Sequence, residues 1–155
     1  MRDRIAFQFA VSVALLLSLI LPLTAHPVGG DAVPEPVVPR SAEAEYNKGL
    51  QAKKAKRFPD AVNDFRRAVD IRPNYPEAWN ELGFALRNTG QYAEALRAYE
   101  QALRLRPNYS EALEYMGEAY VKLGRLDEAR AILERLQRLD VVRAQDLEGA
   151  IRAGR

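Results

Sequence analysis

The stretch PEAWNELGFALRNTGQYAEALRAYEQALRLRPNY, residues 76–109, decides how the rest of the chain is read. Trp79, Leu82, Gly83 and Leu86 are spaced so that they share one face of an α-helix. Asn88-Thr89-Gly90 then supplies turn chemistry, and Ala95, Tyr99 and Ala102 form a second helical stripe. Two apolar stripes joined by so short a turn must bury each other. Gly83 and Ala95 are small enough for the two backbones to cross closely, while Trp79 and Tyr99 fill the space on either side. Pro76 suits a first helical turn, where its missing N–H costs nothing, and Pro107 ends the helix before it.

The pattern returns in both directions. Pro73-Asn74-Tyr75 recurs as Pro107-Asn108-Tyr109, 34 residues on. The same step relates Gly49, Gly83 and Gly117; Ala61, Ala95 and Ala129; Phe65, Tyr99 and Leu133; and Ala68, Ala102 and Leu136. Self-similarity at a fixed period of this length is the mark of stacked helical units, each too small to bury its own apolar face. Three units follow, over residues 42–75, 76–109 and 110–143. Beyond them Ala144, Leu147 and Ile151 keep helical spacing with Asp146, Glu148 and Arg152 on the other side. This predicts a capping helix over 144–153, weakened by Gly149, that gives the stack a solvated end.

At these residues the chain resembles the tetratricopeptide-repeat family: Trp79-x2-Leu82-Gly83-x2-Leu86, then Ala95, Tyr99, Ala102 and Pro107. The middle unit departs from the family pattern only in Leu86, where a Tyr is usual. The first unit has Glu45 and Lys48 in place of Trp and Leu, and the third has Leu136 for Ala and Val141 for Pro. The resemblance implies an all-α fold, a solenoid of helical hairpins closed by a C-terminal capping helix. It also implies that the first helix of each unit lines a concave groove, where a protein or peptide partner lies. Projected onto this chain, the groove is lined by Tyr46, Leu50, Lys53 and Lys54, by Asn80, Phe84, Arg87 and Asn88, and by Glu114, Val121 and Lys122. Some members of the family grip the carboxylate tails of chaperones with Lys and Asn. Here the corresponding places hold Tyr46, Leu50, Glu81, Glu111 and Tyr115, so such a tail would meet Glu rather than Lys.

Two features of the projected groove have competing explanations. Glu43, Glu77 and Glu111 open the first helices while Lys53, Lys54, Arg87 and Lys122 close them, making an acidic edge opposite a basic one. Complementation of the helix dipole produces the same bias without any ligand. Leu50 and Phe84 occupy matching places, with Tyr46 one turn before Leu50. They read either as anchors for a peptide or as packing between neighbouring helices.

Composition excludes several classes. The chain has 23 basic and 21 acidic residues for a net charge of +2, with the two signs interspersed, so nucleic acid is not an expected partner. There is no Cys, and the only His is His26, outside the periodic region. Thiolate chemistry, His-based triads and multi-His or Cys metal sites are therefore excluded, and no glycine-rich phosphate loop is present. No catalytic residue, cofactor or metal is expected.

The N-terminus belongs to no packed core. Arg2 and Arg4 precede an apolar run from Ile5 to Leu23, interrupted by Gln8, Ser12 and Ser18, and Leu23-Thr24-Ala25 follows. This reads as a signal peptide over residues 1–25 cut after Ala25, with Val28-Gly29-Gly30 as a second site. The alternative is an uncleaved signal anchor, since the run approaches the ~20 apolar residues that span a bilayer. Either way the basic start stays cytoplasmic and the domain is exported, to the periplasm or the extracellular space, membrane-attached only if the segment is retained. Residues 26–40 carry Pro27, Pro34, Pro36 and Pro39 and read as a linker before a domain over 41–155. The leading expectation is an exported, non-enzymatic scaffold for a protein or peptide, acting in assembly of a cell-envelope complex. The alternatives are a self-associating structural module, giving a homo-oligomer, and a non-catalytic accessory subunit of an envelope enzyme.

Overall fold

A helix that ends in a tight turn commonly places one residue in the left-handed backbone region. A computed structural model, which describes residues 41–154, shows this at equivalent places in all three units: Lys56 (φ 57°), Gly90 (φ 79°) and Gly124 (φ 70°). Glycine takes that conformation freely, whereas Lys56 bears the steric penalty of a β-carbon. The expected signal segment 1–25 and linker 26–40 lie outside the described residues.

Seven helices run in order: α1 Ala42–Lys54, α2 Phe58–Ile71, α3 Pro76–Asn88, α4 Tyr92–Leu105, α5 Ser110–Lys122, α6 Leu126–Gln137 and α7 Val141–Ala153. No strand occurs among the described residues. The starts have legible causes. Ser41 caps α1, its hydroxyl accepting from the Ala44 N–H at 3.1 Å, and Pro59 and Pro76 lie in the first turns of α2 and α3. Each helix packs on the next in sequence, and α3 also meets α5, as α5 meets α7. The result is an all-α solenoid of helical hairpins with a capping helix.

The small-against-large crossing read from the sequence is the centre of the first two hairpins. A β-carbon on Gly49 would stand 2.5 Å from Phe65 Cε1, and one on Gly83 would stand 2.5 Å from Tyr99 Cε1. Phe65, Tyr99, Ala61, Ala95 and Ala129 are all completely buried. The apolar area hidden at this crossing, at about 25 cal/mol per Å2, is the main term that holds the hairpin closed, and Arg67 of α2 adds a hydrogen bond to Glu45 of α1 at 2.6 Å.

The third hairpin departs from this plan. Its Gly117 does not receive Leu133: a β-carbon there would stand 2.5 Å from Leu147 Cδ2, on α7. Leu147 is completely buried, while Leu133 is only partly so. The capping helix also begins at Val141, three residues before the expected Ala144. Asp140 explains the shift. Its carboxylate accepts from the Arg143 N–H at 3.2 Å, an N-cap that starts the helix immediately, after a link of residues 138–140. The earlier links between hairpins, 72–75 and 106–109, have no such cap and are one residue longer. Helix α7 therefore closes the stack by inserting a side chain into α5, not merely by covering it.

Candidate partner-binding groove

The first helices α1, α3 and α5 present one face each, and α3 holds the centre. Phe84 is half-buried there with its ring centroid 6.2 Å from that of Phe58 and 5.2 Å from that of Tyr115. Two cations flank the same ring, Lys53 Nζ at 4.8 Å and Arg87 Cζ at 5.4 Å from its centroid. Neither is a free charge. Lys53 Nζ donates to Glu81 Oε2 at 2.5 Å, and Arg87 pairs with Glu118 while lying 5.2 Å from the Tyr115 ring. An aromatic face between cations, each tied to a carboxylate of the next repeat, makes a rigid floor rather than a basic edge.

The remaining expected residues divide sharply. Tyr46 is half-buried, its ring 5.0 Å from Tyr75 and 5.7 Å from Phe65, and Leu50 packs partly against the core. Lys54, Asn88 and Lys122 are exposed at the helix ends, and the Asn88 amide donates to the Phe84 carbonyl of its own helix at 2.8 Å. Asn80 is completely buried, and neither of its amide atoms has a hydrogen-bond partner.

Asn80 and Glu114 were expected to line the open groove, and the structure buries both, whereas Val121 is partly buried. Glu114 is buried and pairs with Arg143 of α7, and Val121 packs against the end of α7, where a β-carbon on Gly154 would stand 2.6 Å from its Cγ1. For Glu114 the physical reason is the early start and deep seat of α7, which covers that part of α5.

The groove also contains residues outside the expected set. Tyr75 and Tyr109 end the links between hairpins, each with an arginine over its ring, Arg72 at 4.8 Å and Arg106 at 4.7 Å. The repeated Pro-Asn-Tyr was the available signal, but it served only to mark boundaries. Burial, and then the charge of Glu81, pushes the Tyr46 phenol well above its usual range. Burial pushes Tyr109 up to about 12 and Tyr115 higher still, with Glu111 the next cause in both. Glu81 is itself raised, first by burial and further by Glu111, against the opposing effect of Lys53. Carboxylates of α3 and α5 thus act on the titration of phenols of α1, α5 and the 106–109 link. The start of the groove is thus acidic and phenolic, and its far end is a closed lattice of rings and paired cations.

A second concavity of about 380 Å3 lies on the other face, between Trp79 and Leu82 of α3 and Arg66, Arg97 and Arg104 of the second helices. Arg66 pairs there with Glu94 and Arg104 with Gln101. It is the seam between the first two hairpins.

Stacked hairpins with glycine-on-aromatic crossings and a groove lined by first helices define the class as a helical-repeat protein. Residues 86–151 match one model of the tetratricopeptide-repeat family and residues 65–97 match another. The chain is a tetratricopeptide repeat protein. Solved structures agree on the fold. The first such domain of Spaghetti (RPAP3), bound to the HSP90 peptide SRMEEVD, has a TM-score of 0.68 at 23% identity, over 73% of this chain and 92% of that one. The Arabidopsis OM64 domain has a TM-score of 0.69 at 22% identity, covering 73% and 95%. The second domain of human RPAP3, in complex with the HSP70 peptide SGPTIEEVD, has 0.67 at 24%, covering 72% and 94%. None of the curated proteins matches the chain.

Proposed function

We propose that this domain is a non-catalytic scaffold that holds an extended peptide segment of another protein in the groove of α1, α3 and α5. The observation that carries the reading is the half-buried pair of rings Phe84 of α3 and Tyr115 of α5, 5.2 Å apart, with Tyr46 also half-buried on α1. Aromatic side chains offer large contact area at little entropic cost, and a row of them across repeats suits an extended chain. Similar folds whose structures contain HSP90 and HSP70 peptides support this use of the groove.

The test begins with capture of a partner by the wild-type domain, followed by the Leu50→Ser, Phe84→Ser double variant. The expected result is a loss of about 2 kcal/mol of binding, roughly thirtyfold in affinity, with the domain still folded at assay temperature. Undiminished capture by the double variant would move the site off the groove.

We further propose that the domain works outside the cytoplasm, in assembly of an envelope complex, on the strength of the basic start and the apolar run before Ala25. N-terminal sequencing of the exported protein should begin at His26, whereas an intact Met1 in a membrane fraction identifies the retained anchor. Self-association through the stack end is a second reading, favoured by Val141 and Val142 of α7, which are 62% and 68% exposed. A monomer by light scattering removes it.

A further inference from the structure

The concavity of about 380 Å3 on the face away from the groove owes its room to residues of the first seam alone. Its floor is apolar, with Val69 of α2, Leu82 and Leu86 of α3 and Ala98 of α4, and Trp79 forms one wall. The indole is fixed in place, because its Nε1 donates to the Pro73 carbonyl at 2.7 Å. One repeat further on, the places of Val69 and Ala98 are taken by Leu103 and Ile132, which pack on the core, and the place of Trp79 by the completely buried Leu113. The first seam stays open because two of its side chains are smaller, which leaves the Trp79 ring half-buried.

The rim differs from the next seam in charge as well. It carries Arg66, Arg97 and Arg104 against Asp70 and Glu94, whereas Glu100 and Ala131 stand where Arg66 and Arg97 would repeat. Arg66 is held by Glu94 at 3.1 Å. Arg104 rests on the Gln101 amide, and among the described residues neither it nor Arg97 meets a carboxylate. These two arginines share one face of α4, about 10.5 Å apart along its axis. An extended chain rises about 3.3 Å per residue, so carboxylates three positions apart match that span. The volume is of the size that takes a large side chain, and an indole wall beside guanidinium groups suits an apolar body flanked by negative charge.

We propose that this seam is a second docking site, taking an acidic segment of a protein partner: a large apolar side chain seats against Trp79, and carboxylates three positions apart pair with Arg97 and Arg104. Two guanidinium groups so far apart call for two carboxylates on one chain, which a protein segment supplies and a small anion does not. The site lies on the face away from the groove, so the scaffold can hold a partner on each face at once.

Trp79 is the only Trp of the chain, so its emission reports on this site. The test is selection of a randomised phage-displayed dodecapeptide library by the full chain, in parallel with two variants. Ala98→Ile fills the floor as Ile132 does in the next repeat, and Arg97→Glu with Arg104→Glu reverses the rim. Clones retained by the wild type should include a class with Asp or Glu three positions apart beside a large apolar residue. Synthetic peptides from that class should shift Trp79 emission, and both variants should bind them about tenfold more weakly or worse. Both arginines are exposed, so the charge reversal should leave the melting temperature unchanged even where Ala98→Ile lowers it. The Leu50→Ser, Phe84→Ser variant should bind the same peptides as the wild type does. Absence of the acidic class, an unshifted emission, or affinity that survives the charge reversal overturns the site and leaves the groove reading standing. Affinity lost in Leu50→Ser, Phe84→Ser places the peptides in the groove and overturns the site as well.

Discussion

Truncating Leu147 to Ala and, separately, Leu133 to Ala tests how the last hairpin is closed. The 34-residue period makes Leu133 the counterpart of Phe65 and Tyr99, whereas the structure gives that place against Gly117 to Leu147. Leu147 is completely buried, and a buried Leu→Ala change costs 2–5 kcal/mol; about 3 kcal/mol is expected here, since α7 at the end of the stack relaxes more readily than a central helix. Leu133 is only partly buried and packs on the edge of the core, so about half that cost follows. For a domain of this size the unfolding entropy near the midpoint is about 0.24 kcal/mol/K, which converts 3 kcal/mol into a drop of about 12 °C and half that cost into about 6 °C. Thermal melts and urea titrations of the two variants, read by far-UV circular dichroism, measure the difference. Hydrogen exchange should show α7 opening first in Leu147→Ala, because a repeat stack loses its ends before its middle. If Leu133→Ala costs as much as Leu147→Ala or more, the third repeat is built in the sequence register and the account of α7 given above is wrong.

Two further substitutions of opposite chemistry should each stabilise the domain. Lys56→Gly relieves a left-handed residue and Gly149→Ala fills a helix position with nothing within 4 Å of the new β-carbon, so each should add about 0.5–1 kcal/mol in urea titrations; a loss in either refutes its local geometry. Acid sensitivity should trace in part to Glu45, which is buried and whose pKa is lowered, first by the hydrogen bond from Arg67 and then by that from Lys48. A carboxyl with a depressed folded-state pKa stabilises above its ordinary value of 4.5 and loses that contribution as pH falls through the folded value. Glu45→Gln should therefore flatten the fall in stability below about pH 4.5, and an unchanged slope would show that other carboxyls dominate.

Most of the architecture was legible because it is periodic. The recurrence of Gly83 with Tyr99, of Ala95 and of the Pro-Asn-Tyr links is local information, and a helix pair with one apolar stripe each has few ways to bury it. The groove was legible only as a set of positions. Phe84 and Tyr46, read as groove-facing aromatics, are half-buried, but Lys53 and Arg87, which read as a basic edge, are held by Glu81 and Glu118 on the next first helix, 28 and 31 residues away. A pairing between repeats depends on how far one hairpin turns relative to the next, and no single repeat encodes that.

The amino-acid sequence by itself determined the repeat, the helical hairpins, the crossing at Gly49 and Gly83, and the absence of Cys and His chemistry from the domain, since each depends on residue type and spacing along one chain segment. Only the tertiary structure decided where the periodicity ends. Asp140 starts α7 early, Leu147 displaces Leu133 from Gly117, and Glu114 is buried against Arg143 as a consequence. Those outcomes turn on competition between two side chains for one buried place. Spacing along the chain cannot settle that competition, because the winner is whichever helix can approach closely once the hairpins have packed.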